Sequence, residues 1–190
     1  MPVRVKICGI KDLDTARGVV ELGADYLGLV FTESPRQVTL SQAERLVASL
    51  PTAQFIAVAR DADDDLLEAM LAIGVVGVQL HGRTPARWIH QVHQRGKLAI
   101  ATRLEADADV VLLDGANPGS GQPWAWYKPT FHRPIWLAGG LNPDNVGRVV
   151  KTWRPDGVDV SSGVEQNGVK NLELVRRFIE EVHHADNASA

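Results

Sequence analysis

PIWLAGGLNPDNVGRVVKTWRPDGVDVSSG, residues 134–163, holds the unit that decides the fold. A short apolar run, PIWLA (134–138), is followed by an amphipathic stretch, NPDNVGRVVKTW (142–153), and then by a second strand-like run, GVDVS (157–161). Pro143 sits near the helix start, where its missing N–H costs little. A strand that is apolar almost throughout expects cover on both faces, and strand–helix–strand with that pattern reads as a parallel crossover unit.

The same alternation extends back toward Met1. Six further strands are expected at VRVKIC (3–8), DYLGLVF (25–31), QFIAVA (54–59), GVQLH (77–81), LAIAT (98–102) and VVLLD (110–114). Helical periodicity fills 12–23, 40–50, 63–74, 84–96 and 171–184, with Pro85 near one start. Asp12 is expected as an N-cap and Gly23 as a C-terminal stop, while Ser41 with Glu44 three residues on makes a capping box. Eight parallel strands with intervening helices predict an α/β protein, a compact (β/α)8 TIM barrel, in one domain over 1–184 with a disordered tail at 185–190. Only Arg103 to Asp109 separate the fifth and sixth strands, too few for the usual helical crossover. Either that helix is shortened or missing, or one strand is misassigned. An open doubly wound sheet is the competing architecture.

Composition narrows the function classes. The 190 residues are 45% hydrophobic and 23% charged, with a formal net charge of −3 and scattered basic residues. No electrostatic footprint for nucleic acid or anionic lipid is visible. The single cysteine excludes an internal disulfide and fits a reducing compartment, and no apolar stretch is long enough to span a bilayer, so a cytoplasmic setting is expected. Neither HExxH, CxxC, the Walker lysine pattern nor GxGxxG occurs, so no metal and no cofactor is expected. The five tryptophans (88, 124, 126, 136 and 153) read as core and loop packing.

In such a barrel the reactive groups belong at the C-terminal ends of strands. Cys8 ends the first strand, His81 the fourth and Asp114 the sixth; Gly139-Gly140 follow the seventh and Ser161-Ser162-Gly163 the eighth. Loops after strands seven and eight are the recurring phosphate site of barrels, because free backbone N–H groups there attract an anion. Asp114 follows an apolar run that raises its pKa toward use as an acid, or it caps a helix. Cys8 is either inert packing or a thiolate base near Lys6, Lys11 or a ligand. Arg36, stiffened by Pro35, is either a fork for a substrate carboxylate or a solvated surface arginine. His81 titrates near neutrality or is a structural histidine.

Taken together, KICG (6–9), GADYLGLVF (23–31), SPR (34–36), VQLHG (78–82), LLDG (112–115), GSG (119–121), LAGGLNPDNV (137–146) and VDVSSGVE (158–165) resemble the phosphoribosylanthranilate isomerases, over nearly the whole chain. The resemblance implies a (β/α)8 barrel acting in tryptophan biosynthesis by Amadori rearrangement of N-(5′-phosphoribosyl)anthranilate. It implies Cys8 as general base, Asp114 as general acid, Arg36 facing the anthranilate carboxylate, and the Gly139-Gly140 and Ser161-Ser162-Gly163 loops on the phosphate, with His81 nearby. The partner it implies is a phosphorylated small molecule, with no nucleic acid and no membrane, and the chain acting as a monomer or homodimer. Departures are VAR (58–60) at the end of the third strand, where the family commonly reads FVN, PGSGQPWAW (118–126) after the sixth strand, and the contracted LEADAD (104–109) between the fifth and sixth. A related phosphosugar isomerase, which would favour two aspartates over a Cys/Asp pair, and a non-catalytic phosphate-binding barrel are the alternatives.

Overall fold

The computed structural model describes residues 1–102, 107–115 and 133–188. Eight strands close into a barrel in chain order: β1 (Arg4–Cys8), β2 (Tyr26–Val30), β3 (Phe55–Arg60), β4 (Gly77–His81), β5 (Leu98–Ala101), β6 (Val110–Asp114), β7 (Ile135–Ala138) and β8 (Gly157–Val160). All neighbouring strands pair in parallel, and β8 pairs back onto β1 with Lys6 opposite Asp159. That closing pair excludes the open sheet. Six helices, α1 (Leu13–Glu21), α2 (Leu40–Ser49), α3 (Asp64–Ala72), α4 (Ala86–Gln94), α5 (Val146–Trp153) and α6 (Leu172–Asn187), are found among the described residues.

The short connection between β5 and β6 is real. Ile100 and Ala101 pair in parallel with Val110 and Val111, so neither strand was misassigned, and residues 102–109 span the gap. Residues 103–106 and 116–132, which include GSG (119–121), Trp124 and Trp126, lie outside the described residues.

Three expectations need correction. The cap of α2 is Thr39, not Ser41: its hydroxyl accepts from Gln42 N at 3.2 Å while the Gln42 side chain accepts from Thr39 N at 2.8 Å. Both frames fit the capping-box pattern, since Gln serves as well as Glu, and Ser41 instead accepts from Arg45. Helix α5 starts at Val146, because Asn142 and Asn145 bond across residues 142–145 as a turn. Helix α6 runs on through Asn187, inside the expected tail: Ala185 is buried and Asp186 accepts from Val3 N at 2.9 Å.

The period-two alternation of the strands sorts side chains between two compartments. Along β1, Val5 and Ile7 face the helices and join the main core, whereas Lys6 and Cys8 point into the barrel. Cys8, Ile56, Val58, Ile100, Leu112 and Trp136 belong to the inner cluster, where Tyr26 packs on Trp136 at 5.2 Å. Gly157 makes room for that indole; a Cβ there would meet Trp136 Nε1 at 2.6 Å. The barrel is therefore a filled plug with one open mouth.

Candidate active site

The mouth holds a cavity of about 220 Å³ lined by Cys8, Arg36, Gln79, His81, Asp114 and Asp159, with Gly139, Gly140, Ser161 and Ser162 along one rim. Every expected site residue except Gly163 lines it. Gly163 stands behind the rim, where a Cβ would sit 1.8 Å from the Leu141 carbonyl oxygen. The left-handed turns at Gly139 (φ 81°) and Gly140 (φ 65°) end β7, and Asn145 Nδ2 donates to Gly140 O at 2.9 Å to fix that turn. Ser161 Oγ donates to Cys8 O at 3.0 Å, tying the β8 rim to β1. Gly28 allows the thiol its place: a Cβ there would fall 2.7 Å from Cys8 Sγ.

Beneath the mouth lies a buried ion pair. Lys6 Nζ, fully buried, meets Asp159 Oδ2 at 2.8 Å, and among the described residues Asp159 Oδ1 and Gln79 Oε1 have no hydrogen-bond partner. Both residues line the cavity, and a buried acceptor left without a donor is costly. Burial pushes the Cys8 thiol above its ordinary value, opposed by the Lys6 ammonium. Burial would lower Lys6, but Asp159 and Cys8 outweigh it and hold the ammonium charged. Lys11 is not part of this group; its amine donates to Pro35 O.

Across the ring, desolvation and the Asp159 carboxylate push Asp114 upward, opposed by Arg60. A raised carboxyl is the property an acid needs near neutrality. His81 is neutral: burial and then Lys6 push it down to about 4, and its Nε2 accepts from Gln79 Nε2 at 2.7 Å. Arg36 forks onto Glu165 through Nε at 2.7 Å and Nη2 at 2.6 Å, and Lys170 Nζ also bonds Glu165. Burial raises Glu165, yet the bonds from Arg36 and Lys170 outweigh it and hold it at about 2.

The family model for N-(5′-phosphoribosyl)anthranilate isomerase matches residues 5–181. This chain belongs to that isomerase family. It is 38% identical to N-(5′-phosphoribosyl)anthranilate isomerase of Streptococcus pneumoniae, over 95% of this chain and 96% of that protein. A crystal structure of phosphoribosyl anthranilate isomerase from Thermotoga maritima is similar at a TM-score of 0.84 and 33% identity, covering 95% of this chain and 98% of that one. Another isomerase structure, in complex with reduced 1-(o-carboxyphenylamino)-1-deoxyribulose 5-phosphate, is similar at a TM-score of 0.80 and 32% identity over 95% of this chain and 98% of that one.

Within this isomerase-family site, Asp159 and Glu165 carried no expected role. The polar Asp159 in the otherwise apolar GVDV strand was the available signal, since a buried carboxylate requires a partner. The hairpin Glu165–Gln166 with Val169–Lys170 was announced by Asn167-Gly168, a strong two-residue turn signature.

Proposed function

We propose that this chain catalyses the Amadori rearrangement of N-(5′-phosphoribosyl)anthranilate to 1-(o-carboxyphenylamino)-1-deoxyribulose 5-phosphate, in tryptophan biosynthesis. Asp114 gives its proton to the furanose ring oxygen; the C1′–O bond breaks and the anthranilate nitrogen lone pair forms the iminium. The Cys8 thiolate then removes the C2′ proton, and those electrons form the enolamine, which tautomerises to the ketone with C1′ protonated. The single observation that carries this reading is placement. Cys8 on β1 and Asp114 on β6 line the same cavity, with the Gly139-Gly140 and Ser161-Ser162 rim between them as a cradle for the phosphate.

The electrostatics supply the residue types with reasons. Base and acid must coexist as thiolate and carboxylic acid: the upward push on Asp114 favours its acid form, whereas burial works against the Cys8 thiolate. The Lys6 ammonium is the main opposing influence, stabilising the thiolate. The unpaired Asp159 Oδ1 and Gln79 Oε1 accept from the ribose hydroxyls, and Arg36 takes the anthranilate carboxylate. The chain's own titrating groups perform both proton transfers.

A direct assay tests the reading: loss of anthranilate fluorescence on addition of phosphoribosylanthranilate, and growth of a tryptophan auxotroph lacking this step. Cys8→Ala and Asp114→Asn are each expected to lower kcat by about two to four orders of magnitude with the fold retained. Activity within a few fold of the unaltered chain in either variant rejects that residue's assignment.

A further inference from the structure

The geometry points to Glu165 as the positioning residue that aims Arg36 at a ligand carboxylate, with Lys170 as the counter-charge that lets a second carboxylate approach. The inference rests on the reading above, in which Arg36 receives the anthranilate carboxylate. An arginine side chain has four rotatable bonds, and holding its fork in one place must come from fixed partners. Two are present. The Arg36 stem lies across the Gly9 backbone, where a Cβ would meet Arg36 Cδ at 2.6 Å. Glu165 engages the Nε–Nη2 edge of the guanidinium, at 2.7 and 2.6 Å. Nη1 makes no hydrogen bond among the described residues, so the remaining edge is available to the cavity that Arg36 lines.

A carboxylate beside the docking place of another carboxylate is a liability unless it is neutralised. Lys170 does that: its side chain is 3% exposed, it bonds Glu165, and it donates to Ser161 O at 3.2 Å. Two cations and one anion leave the cluster a single net positive charge, the right sign for an anionic group. The hairpin builds this arrangement. Asn167 (φ 54°) and Gly168 (φ 77°) both take the left-handed conformation of a two-residue primed turn, which sets Lys170 opposite Glu165 in register. Because Ser161 Oγ also donates to Cys8 O, the clamp is fixed to the same rim as the thiol.

Two other roles for Glu165 make opposite forecasts. As a plain charge it would repel an anionic ligand, so neutralising it would tighten binding. As a plain structural ion pair it would affect ligands with and without a carboxylate alike. Isothermal titration of the full chain with reduced 1-(o-carboxyphenylamino)-1-deoxyribulose 5-phosphate, and with the analogue lacking its carboxyl group, separates the three through the ratio of the two dissociation constants. In Arg36→Ala the preference for the carboxylate ligand collapses. In Glu165→Gln, nearly isosteric, the preference falls about tenfold while the affinity for the carboxyl-free analogue stays within about twofold. Lys170→Met keeps the fork but cancels the net charge, and lowers the preference as well. An unchanged preference in Glu165→Gln, tighter binding of the carboxylate ligand, or equal weakening of both ligands overturns the inference while leaving Arg36 in its role. If Lys170→Met alone keeps the preference, the counter-charge is overturned. A preference unaltered in Arg36→Ala overturns the assignment of Arg36 itself, and this inference with it.

Discussion

Replacing Lys6 with methionine removes the cation from the barrel interior while keeping most of the volume of its stem. Asp159 Oδ2 then loses its donor at 2.8 Å, and Oδ1 has no partner among the described residues to begin with, so a carboxylate only 6% exposed is left without a donor there. Breaking one side of a buried pair costs about 3–5 kcal/mol, against a total of about 5–15 kcal/mol for a domain. Urea unfolding followed by circular dichroism at pH 7 reads the loss as a lower midpoint at unchanged slope. The double variant Lys6→Met/Asp159→Leu is expected to recover most of it, because an apolar pair in that space carries no uncompensated charge. Losing its cation also pushes the Cys8 thiol further up, and alkylation by iodoacetamide at fixed pH slows. A loss below about 1 kcal/mol refutes the claim that this pair is an uncompensated charge in waiting.

The remaining expectations concern other residues. His81 titrates at about 4 in the folded chain against 6.5 ordinarily, so the stability it confers is complete above 6.5 and is lost as pH falls through about 4. The amount is about 3 kcal/mol, and His81→Gln should lack that slope in acid urea titrations; identical slopes contradict it. Gly163→Ala sets a Cβ against the Leu141 carbonyl at 1.8 Å, which forces the rim aside. Its kcat/KM should fall about a hundredfold, and an unchanged value removes that rim from the site. Thr39→Ala should cost about 1 kcal/mol and Ser41→Ala less than about 0.5 kcal/mol, readable by thermal unfolding; the reverse order restores Ser41 as the cap.

The eight strands were legible because each is a short apolar run between turn signals, and the observed bounds fall within a residue or two of the expected ones. That Cys8, Asp114 and the two rims gather at one mouth was legible by a single rule, that barrel sites lie where strands end. What escaped depends on side chains distant in sequence. Lys6 and Asp159 lie 153 residues apart, and Arg36 and Glu165 lie 129 apart. No local period carries such pairings; only the β1–β8 register brings the first pair opposite. The α2 cap escaped for a different reason, since Thr39-x-x-Gln42 and Ser41-x-x-Glu44 satisfy the same pattern two residues apart and sequence alone does not rank them.

The seam where the barrel shuts has a kinetic meaning. Lys6 with Asp159, Cys8 O with Ser161, and Val3 with Asp186 are all contacts across at least 153 positions, and contacts of such separation carry the largest loop-closure cost and slow folding. β8 supplies Asp159, the partner of Lys6, and leads into Ser161, which donates to Cys8 O, so without β8 the first strand is an edge strand lacking both contacts. A chain whose β8 is undocked therefore leaves Lys6 without its counter-ion and the mouth without its Ser161-Ser162 rim: the last strand in the sequence completes the surroundings of the first.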